Sequence, residues 1–229
     1  MADQRQSGAP ARSGPSVRNQ ELDRILSAAL TLMLRQGLRG TTYDEVVTAS
    51  GLPGDIFQRQ VTDHEELVLK ILERVEEEVI GAIVSEVAKA PATADGKLGG
   101  FLETMTKAPP SRISLMVFLI NASTEYGSTE GRIGTRVGRL YGHLYRTVEG
   151  ILQFGSLRGS FRTDLATREL SAVFVAMLTG IVLEARRMSG ELETLQLDRA
   201  MRLLLLRGME DRIAIERVLS GYVIPGFHP

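Results

Sequence analysis

Apolar residues recur every four positions along one stretch of the chain, at Leu67, Ile71, Val75, Val79, Ile83 and Val87. An α-helix has about 3.6 residues per turn, so it places such residues on one slowly drifting stripe. The spacing therefore predicts one long helix that begins near Asp63 and ends before the Pro91 region. A strand would instead show an alternation of period two, and none is sustained from Gln20 onward. The pattern predicts an all-α fold.

Similar periodic segments predict the other helices. The first helix ends at Gly37, a residue suited to a helix C-terminus. Two short helices follow at about 42–49 and 53–60, with Thr41 or Thr42 as a cap. Further helices are expected over 97–107, 111–125, 130–155, 166–188 and 196–220. We predict three parts: a disordered tail (1–17), a unit of three small helices (18–66) and a larger helical domain (67–229).

Composition narrows the class of protein. The chain of 229 residues has a formal net charge of -1. It has no cysteine, and this excludes disulfides and thiolate metal sites. Its first twenty residues lack the apolar core of a signal peptide. The most apolar stretch, Val173 to Leu183, is too short for a membrane span, which needs roughly 20 residues. We expect a soluble, cytoplasmic protein without a membrane partner.

A known family has the same order of elements. A short helix, a turn, a second short helix and a long helix that opens with Glu65, Glu66 and Leu67 form the layout of the TetR transcriptional regulators. The segment ILSAALTLMLRQGLRGTTYDEVVTASGL resembles the first two helices of that family. The segment GSLRGSFRTDLATRELSAVFVAMLTGIVLEA resembles the linker and penultimate helix that its members use to dimerise. The resemblance covers roughly residues 20–220. It implies that residues 18–66 are a DNA-binding-like helix-turn-helix domain and residues 67–229 a ligand-binding and dimerisation domain.

The resemblance implies a homodimeric regulator that binds operator DNA and is released or retuned by a small apolar ligand. Carried over to this chain, it predicts these DNA contacts: Thr41, Thr42, Tyr43, Gly54, Asp55, Gln58, Arg59 and His64. The recognition segment nevertheless departs from the family pattern. Pro53 stands at the usual Ser or Thr cap, Gln58 at the phosphate-contacting Tyr, and His64 at the Lys that opens the long helix.

Charge leaves two functions open. Residues 21–67 carry four arginines and eight carboxylates, a net charge of -4. Most non-specific affinity for DNA comes from neutralised phosphates, which this composition does not favour. Gln58 and Arg59 are nevertheless suited to the edges of adenine and guanine. The alternative is a dimeric module of the same fold that binds ligands or proteins and has lost sequence-specific DNA binding.

The larger domain supplies candidates for a pocket and an interface. Ligand sites are mainly apolar with a few polar groups, and the candidates are Phe101, Met105, Phe118, Asn121, Tyr126, Tyr141, Tyr145 and Met177. Ordinary core packing is the alternative for each of them. Helices that are apolar nearly all round are buried on two sides. That property predicts a dimer interface at Phe174, Leu178, Ile181, Met201, Leu204 and Leu205.

Two further patterns are informative. Gly134, Gly138 and Gly142 lie four residues apart, so they share a helix face. We predict close backbone packing there, with room beside a pocket as the alternative. The three histidines lie far apart, and no Ser/His/Asp constellation, phosphate loop or metal-ligand spacing is recognisable. We therefore predict that the protein is not an enzyme, with no catalytic residue, no metal site and no cofactor.

Overall fold

Helices make up all the regular structure of residues 15–187, the part of the chain that the computed structural model describes. They are α1 (Pro15–Gln36), α2 (Tyr43–Ser50), α3 (Gly54–Gln60), α4 (His64–Val75), α5 (Gly81–Lys89), α6 (Ala94–Thr106), α7 (Pro110–Tyr126), α8 (Arg132–Leu157) and α9 (Thr167–Arg187). A π-helical turn, Glu76–Ile80, joins α4 to α5. The all-α prediction is confirmed. The helix predicted at 196–220 lies outside the described residues.

The chain divides into two compact units between Lys70 and Ile71. That division falls four residues after the predicted boundary at residue 66. In the first unit, Ile25 and Met33 of α1, Val46 of α2 and Phe57 of α3 are fully buried. Helix α1 begins at Pro15, several residues earlier than its apolar pattern indicated.

Capping residues fix the short helices of the first unit. Thr42 caps α2: its Oγ1 accepts a hydrogen bond from the Glu45 N–H, and the Glu45 carboxylate accepts one from the Thr42 N–H. Gly51 ends α2 with φ at 63°, a left-handed conformation that glycine adopts without strain. Before α4, Asp63 Oδ1 accepts from the Glu66 N–H at 2.8 Å. The Glu66 carboxylate accepts from the Thr62 hydroxyl and from the Thr62 N–H, each at 2.7 Å, and these two bonds lower the pKa of Glu66, the hydroxyl bond most. Bonds of this kind satisfy N–H groups at helix starts that have no partner inside the helix.

The π turn explains how the four-residue ladder stays buried. Residues four apart drift by about 40° per step on an α-helix, or roughly 160° between Leu67 and Ile83. A π turn takes in one extra residue, about 100° of rotation. The Gly81 N–H donates to the carbonyl of Glu76, five residues earlier. With most of the drift removed, Leu67, Val75 and Ile83 are all buried.

The core of the second unit lies among the end of α4, the π turn and α5 to α9. Phe101, Phe118 and Leu140 are fully buried there. Between residues 15 and 187, no helix combines the length and the apolar character that crossing a membrane requires.

Among the described residues, only one of the three glycines of α8 lies close to other backbone atoms. A Cβ on Gly134 would lie 2.3 Å from the carbonyl oxygen of Thr129, so the backbones do approach closely. At Gly138 no described atom lies within 4 Å of such a Cβ. At Gly142 the nearest atom is the mobile end of Arg146, at 3.3 Å. Regular spacing places glycines on one face, but it does not determine what that face contacts.

Candidate DNA-binding and ligand-binding sites

Helix α3 presents a polar face and a buried anchor. Gly54, Asp55, Gln58 and Arg59 are exposed, whereas Phe57 is fully buried. The ring of Phe57 meets the ring of Tyr43 edge to face, with centroids 5.0 Å apart and an interplanar angle of 84°. This pair fixes α3 against α2 and leaves the four predicted contacts of α3 at the surface.

The single cation of α3 is paired with its own helix. Arg59 Nη2 lies 2.5 Å from Asp55 Oδ2, and Arg59 Nε donates to the Asp55 carbonyl at 3.0 Å. Both side chains are exposed, Arg59 by 65% and Asp55 by 71%. Exposed pairs of this kind contribute little stability. Arg59 can therefore exchange Asp55 for another acceptor at a small cost.

Three other residues that were predicted to contact DNA form hydrogen bonds within the first unit. Thr41 is buried and its hydroxyl donates to the Gly37 carbonyl at 2.9 Å. The Tyr43 hydroxyl donates to the Val61 carbonyl at 2.7 Å, and burial is the main cause of its raised pKa. His64 Nε2 lies 3.0 Å from the Leu38 carbonyl, a contact that requires the proton on Nε2. These side chains hold the ends of the helices in place.

The start of α2 already holds an anion. The Glu45 carboxylate accepts from the Thr42 N–H at 2.8 Å, which is the main cause of its lowered pKa. A DNA phosphate at this N–H would have to displace Glu45. The signal for this arrangement is present in the sequence, because Thr42 and Glu45 have the three-residue spacing of a capping box. Thr42 was expected as a cap, but its partner Glu45 was missed.

The role of Tyr43 is testable by removing its hydroxyl. We expect Tyr43→Phe to lower the free energy of unfolding by about 0.5–1.5 kcal/mol, the usual net contribution of one hydrogen bond. The edge contact with Phe57 would remain. Urea unfolding followed by circular dichroism measures the change. Thr48→Val, on the exposed side of α2, is the control for loss of a hydroxyl, and an equal effect of both changes would contradict this role.

A small apolar cavity lies in the second unit. Its volume is about 40 Å³, and its walls come from the π turn, α6, α7, α8 and α9. It is lined by Val79, Phe101, Met105, Met116, Leu119, Ile120, Tyr141, Leu144, Val175, Leu178, Thr179 and Val182. Pockets for organic ligands usually measure roughly 300–1,000 Å³. A ligand of that size would have to move these walls.

Three of the predicted ligand contacts line this cavity: Phe101, Met105 and Tyr141. Phe118 is fully buried and is not among the lining residues. Asn121, Tyr126, Tyr145 and Met177 are half-buried and also lie outside the lining. The sequence reasoning missed Val79, which belongs to the apolar ladder of the long helix, and Thr179.

Among the described residues, the lining holds two hydroxyl groups and no charged side chain. The Thr179 hydroxyl donates to the Val175 carbonyl at 2.9 Å. The Tyr141 hydroxyl lies 3.4 Å from Ser123 Oγ, and burial raises its pKa. Because a buried charge without a partner is costly, this cavity favours an uncharged guest.

Solved structures of regulators share this arrangement of helices. The MbdR regulator from Azoarcus sp. CIB is 28% identical, with a TM-score of 0.75 over 82% of this chain and 98% of that chain. A TetR transcriptional regulator from Chloroflexus aurantiacus is 19% identical, with a TM-score of 0.66 over 83% and 96%. The fold is that of the TetR transcriptional regulators.

A third similar structure, the ketosteroid transcriptional regulator KstR2 of Mycobacterium tuberculosis, is 17% identical, with a TM-score of 0.71 over 89% and 100% of the two chains. No protein-family model and no curated protein matches the chain. The resemblance to the TetR family seen in the sequence is thus confirmed by structure. The neighbours are transcriptional regulators, which supports a regulatory role.

Two of the residues predicted at the dimer interface, Phe174 and Leu178, face the core of their own unit. They are only 4% and 5% exposed: Leu178 lines the cavity, and Phe174 packs against Phe101 with ring centroids 5.5 Å apart. Ile181 is half-buried. The large apolar residues of α9 that are exposed are Val173 and Leu183. Met201, Leu204 and Leu205 lie outside the described residues.

Proposed function

We propose that the protein is a homodimeric transcriptional regulator that binds operator DNA through α2 and α3 and responds to a small uncharged ligand. The observation that carries this proposal is the exposed face of α3, which holds Gln58 and Arg59 while Phe57 anchors the helix from below. Gln matches the edge of adenine and Arg that of guanine in the major groove. At Gly54 even an added Cβ would meet no described atom within 4 Å, so a DNA backbone has room to approach.

The structure narrows the proposed DNA contacts. Thr41, Tyr43 and His64 are engaged inside the unit, so we assign them a positioning role. Gly54, Gln58 and Arg59 remain as direct contacts, with Thr42 as a backbone contact that competes with Glu45. Asp55 is the partner that holds Arg59 in the absence of DNA.

Removing the charge of Asp55 tests this assignment. We expect Asp55→Asn to raise DNA affinity about threefold to tenfold at low salt, because it frees Arg59 and removes a repulsive charge near the phosphates. Fluorescence anisotropy with DNA from the upstream region of the gene measures the effect. Glu130→Gln changes the net charge equally at an exposed site in the second unit. Equal effects of the two changes would mean that α3 does not meet DNA.

The ligand is proposed to occupy the cavity of the second unit. Its lining is apolar and uncharged, which fits a hydrophobic molecule with at most one or two hydrogen-bonding groups for Tyr141 and Thr179. Ligand binding would favour one arrangement of α4 over another and so change the spacing of the two recognition helices of the dimer. Operator half-sites lie about one helical turn apart, so a small shift would misalign one of them.

The dimer is proposed to use the outward face of α9. Exposed side chains on that face include Val173, Ala176 and Leu183, with Gly180 between them. Small and apolar residues at spacings of three and four allow a second helix to approach closely. A two-fold axis is the commonest symmetry of such assemblies.

One observation favours the alternative, a dimeric ligand-binding or protein-interaction module without DNA binding. The cation of α3 is paired with Asp55, and the start of α2 is occupied by Glu45. Both features reduce attraction for phosphate. The two functions differ in whether the folded dimer binds DNA at low salt.

A further inference from the structure

The π turn interrupts the helix over residues 64–89 at the wall of the cavity. Val79, the fourth of the five residues of the turn, lines the cavity and is 2% exposed. Its neighbour Ile80 is also buried. The turn therefore contributes one side chain, Val79, to the cavity wall.

Helix α8 contacts the same turn at Glu76, the first residue of the turn. Arg136 Nη2 lies 2.5 Å from Glu76 Oε2, and His143 Nδ1 lies 4.0 Å from Glu76 Oε1. Tyr141, between these two basic residues on α8, lines the cavity with Val79. One turn of backbone thus connects the cavity wall, a partly buried ion pair and the end of α4.

The N–H groups of this turn could pair in two ways, as in a π-helix or as in an α-helix. A π turn pairs each N–H with the fifth preceding carbonyl, a rarer arrangement than α-helical pairing and one often found at functional sites. Here the extra residue keeps Val75 and Ile83 buried on the two sides of the turn. The cavity has a volume of about 40 Å³, enough for a few water molecules and far less than an organic ligand needs. Any larger guest must displace wall residues such as Val79.

We propose that the π turn Glu76–Ile80 is the joint through which occupancy of the cavity is passed to α4. The inference rests on the proposed function and specifies how that cavity would regulate it. A guest displaces Val79, and N–H groups of the turn change their partners from the fifth to the fourth preceding carbonyl. The register of the helix then changes on the side of α4, which runs without interruption back to His64.

Deletion of Glu77 tests the joint directly. Glu77 is exposed, and its removal takes out the extra residue, so an ordinary α-helix can run through the site with both flanks on their original faces. We expect the variant to bind upstream DNA within about twofold of the wild type and to bind the uncharged fluorescent probe N-phenyl-1-naphthylamine. The probe should change DNA affinity of the wild type by about 5–150-fold, a typical range of coupling, and leave that of the variant unchanged.

A second readout does not depend on DNA. Amide hydrogen exchange at residues 78–81, which both proteins contain, reports the pairing of the turn. In the wild type, probe binding is expected to change the exchange rates of these amides, because their acceptors change. In the deletion variant, where the helix is already continuous, the same amides are expected to keep their rates.

Two variants that change the net charge by the same amount cover the case in which the deletion variant does not fold. Glu76→Gln removes the charge that Arg136 holds, and we expect it to reduce the effect of the probe on DNA affinity at least threefold. Glu77→Gln makes the same change at the exposed neighbour and is expected to behave as the wild type. Equal coupling in the two variants would overturn the inference.

The outcomes separate this inference from the proposed function. Two results contradict both this inference and the proposed function. In the first, the wild type does not bind the probe. In the second, it binds the probe without any change in its DNA affinity or in the amide exchange rates of the turn. A wild type that responds, together with a folded deletion variant that responds equally, overturns the π turn as the joint and leaves the regulator intact.

Discussion

Phe57→Ala is expected to lower the free energy of unfolding of the first unit by about 3–5 kcal/mol and to abolish specific DNA binding. Phe57 is the only α3 side chain among the fully buried ones, and it packs edge to face against Tyr43. Without the ring, α3 loses its anchor while its exposed face keeps every polar group. The helix has only seven residues, too few to be stable without packing.

Controls separate the loss of the anchor from the loss of surface groups. Gln58→Ala changes an exposed neighbour and should leave stability within about 0.5 kcal/mol of the wild type. Phe57→Leu keeps most of the apolar volume, so its stability should lie between those of the Phe57→Ala and Gln58→Ala proteins. Thermal and urea unfolding measure stability, and anisotropy measures DNA binding. A Phe57→Ala protein as stable as the Gln58→Ala protein would contradict the role of Phe57 as the anchor.

The second large effect is expected in the second unit, at its apolar cavity. Phe101 is fully buried, lines the cavity and packs against Phe174. Phe101→Ala should lower the free energy of unfolding by about 3–5 kcal/mol, through lost burial and an enlarged cavity. The same enlargement should raise the affinity for N-phenyl-1-naphthylamine, because less wall has to move. Stability and probe affinity would thus change in opposite directions.

Phe154→Ala is the matched control, because Phe154 is half-buried, lies outside the cavity lining and stacks under Arg158 at 4.7 Å. It should lower stability less and leave probe affinity unchanged. Probe fluorescence titrations at a temperature where all variants are folded measure the binding. A Phe101→Ala protein that binds the probe no better than the wild type would mean that this cavity is not the ligand site.

The sequence determined the fold well because its signals are local. Thr42 and Gly51 are capping residues at the ends of α2, and the four-residue ladder runs through the long helix. The same ladder also held the signal for the π turn, since a spacing of four exceeds the 3.6 residues of an α-helical turn. Its drift has to be absorbed somewhere, and sequence alone does not place the extra residue at Glu76–Ile80.

The functional surfaces were harder to assign for a physical reason. Helix α9 is apolar on more than one side, so its pattern does not tell the face toward the core from the face toward a partner. Phe174 and Leu178 were therefore predicted at the interface, although both lie in the core. The cavity depends on how residues from distant helices fit together, as Val79 and Thr179 show. The pairing of Asp55 with Arg59, by contrast, follows from their four-residue spacing.

The most direct test of the proposed function is anisotropy of the folded wild-type protein with DNA from its own upstream region, at about 50 mM and then about 200 mM salt, against a scrambled duplex. We predict binding that prefers the upstream DNA and falls only about tenfold between the two salts, as roughly two phosphate contacts would give. No binding of the folded protein at about 50 mM salt would contradict DNA recognition and favour the protein-interaction alternative.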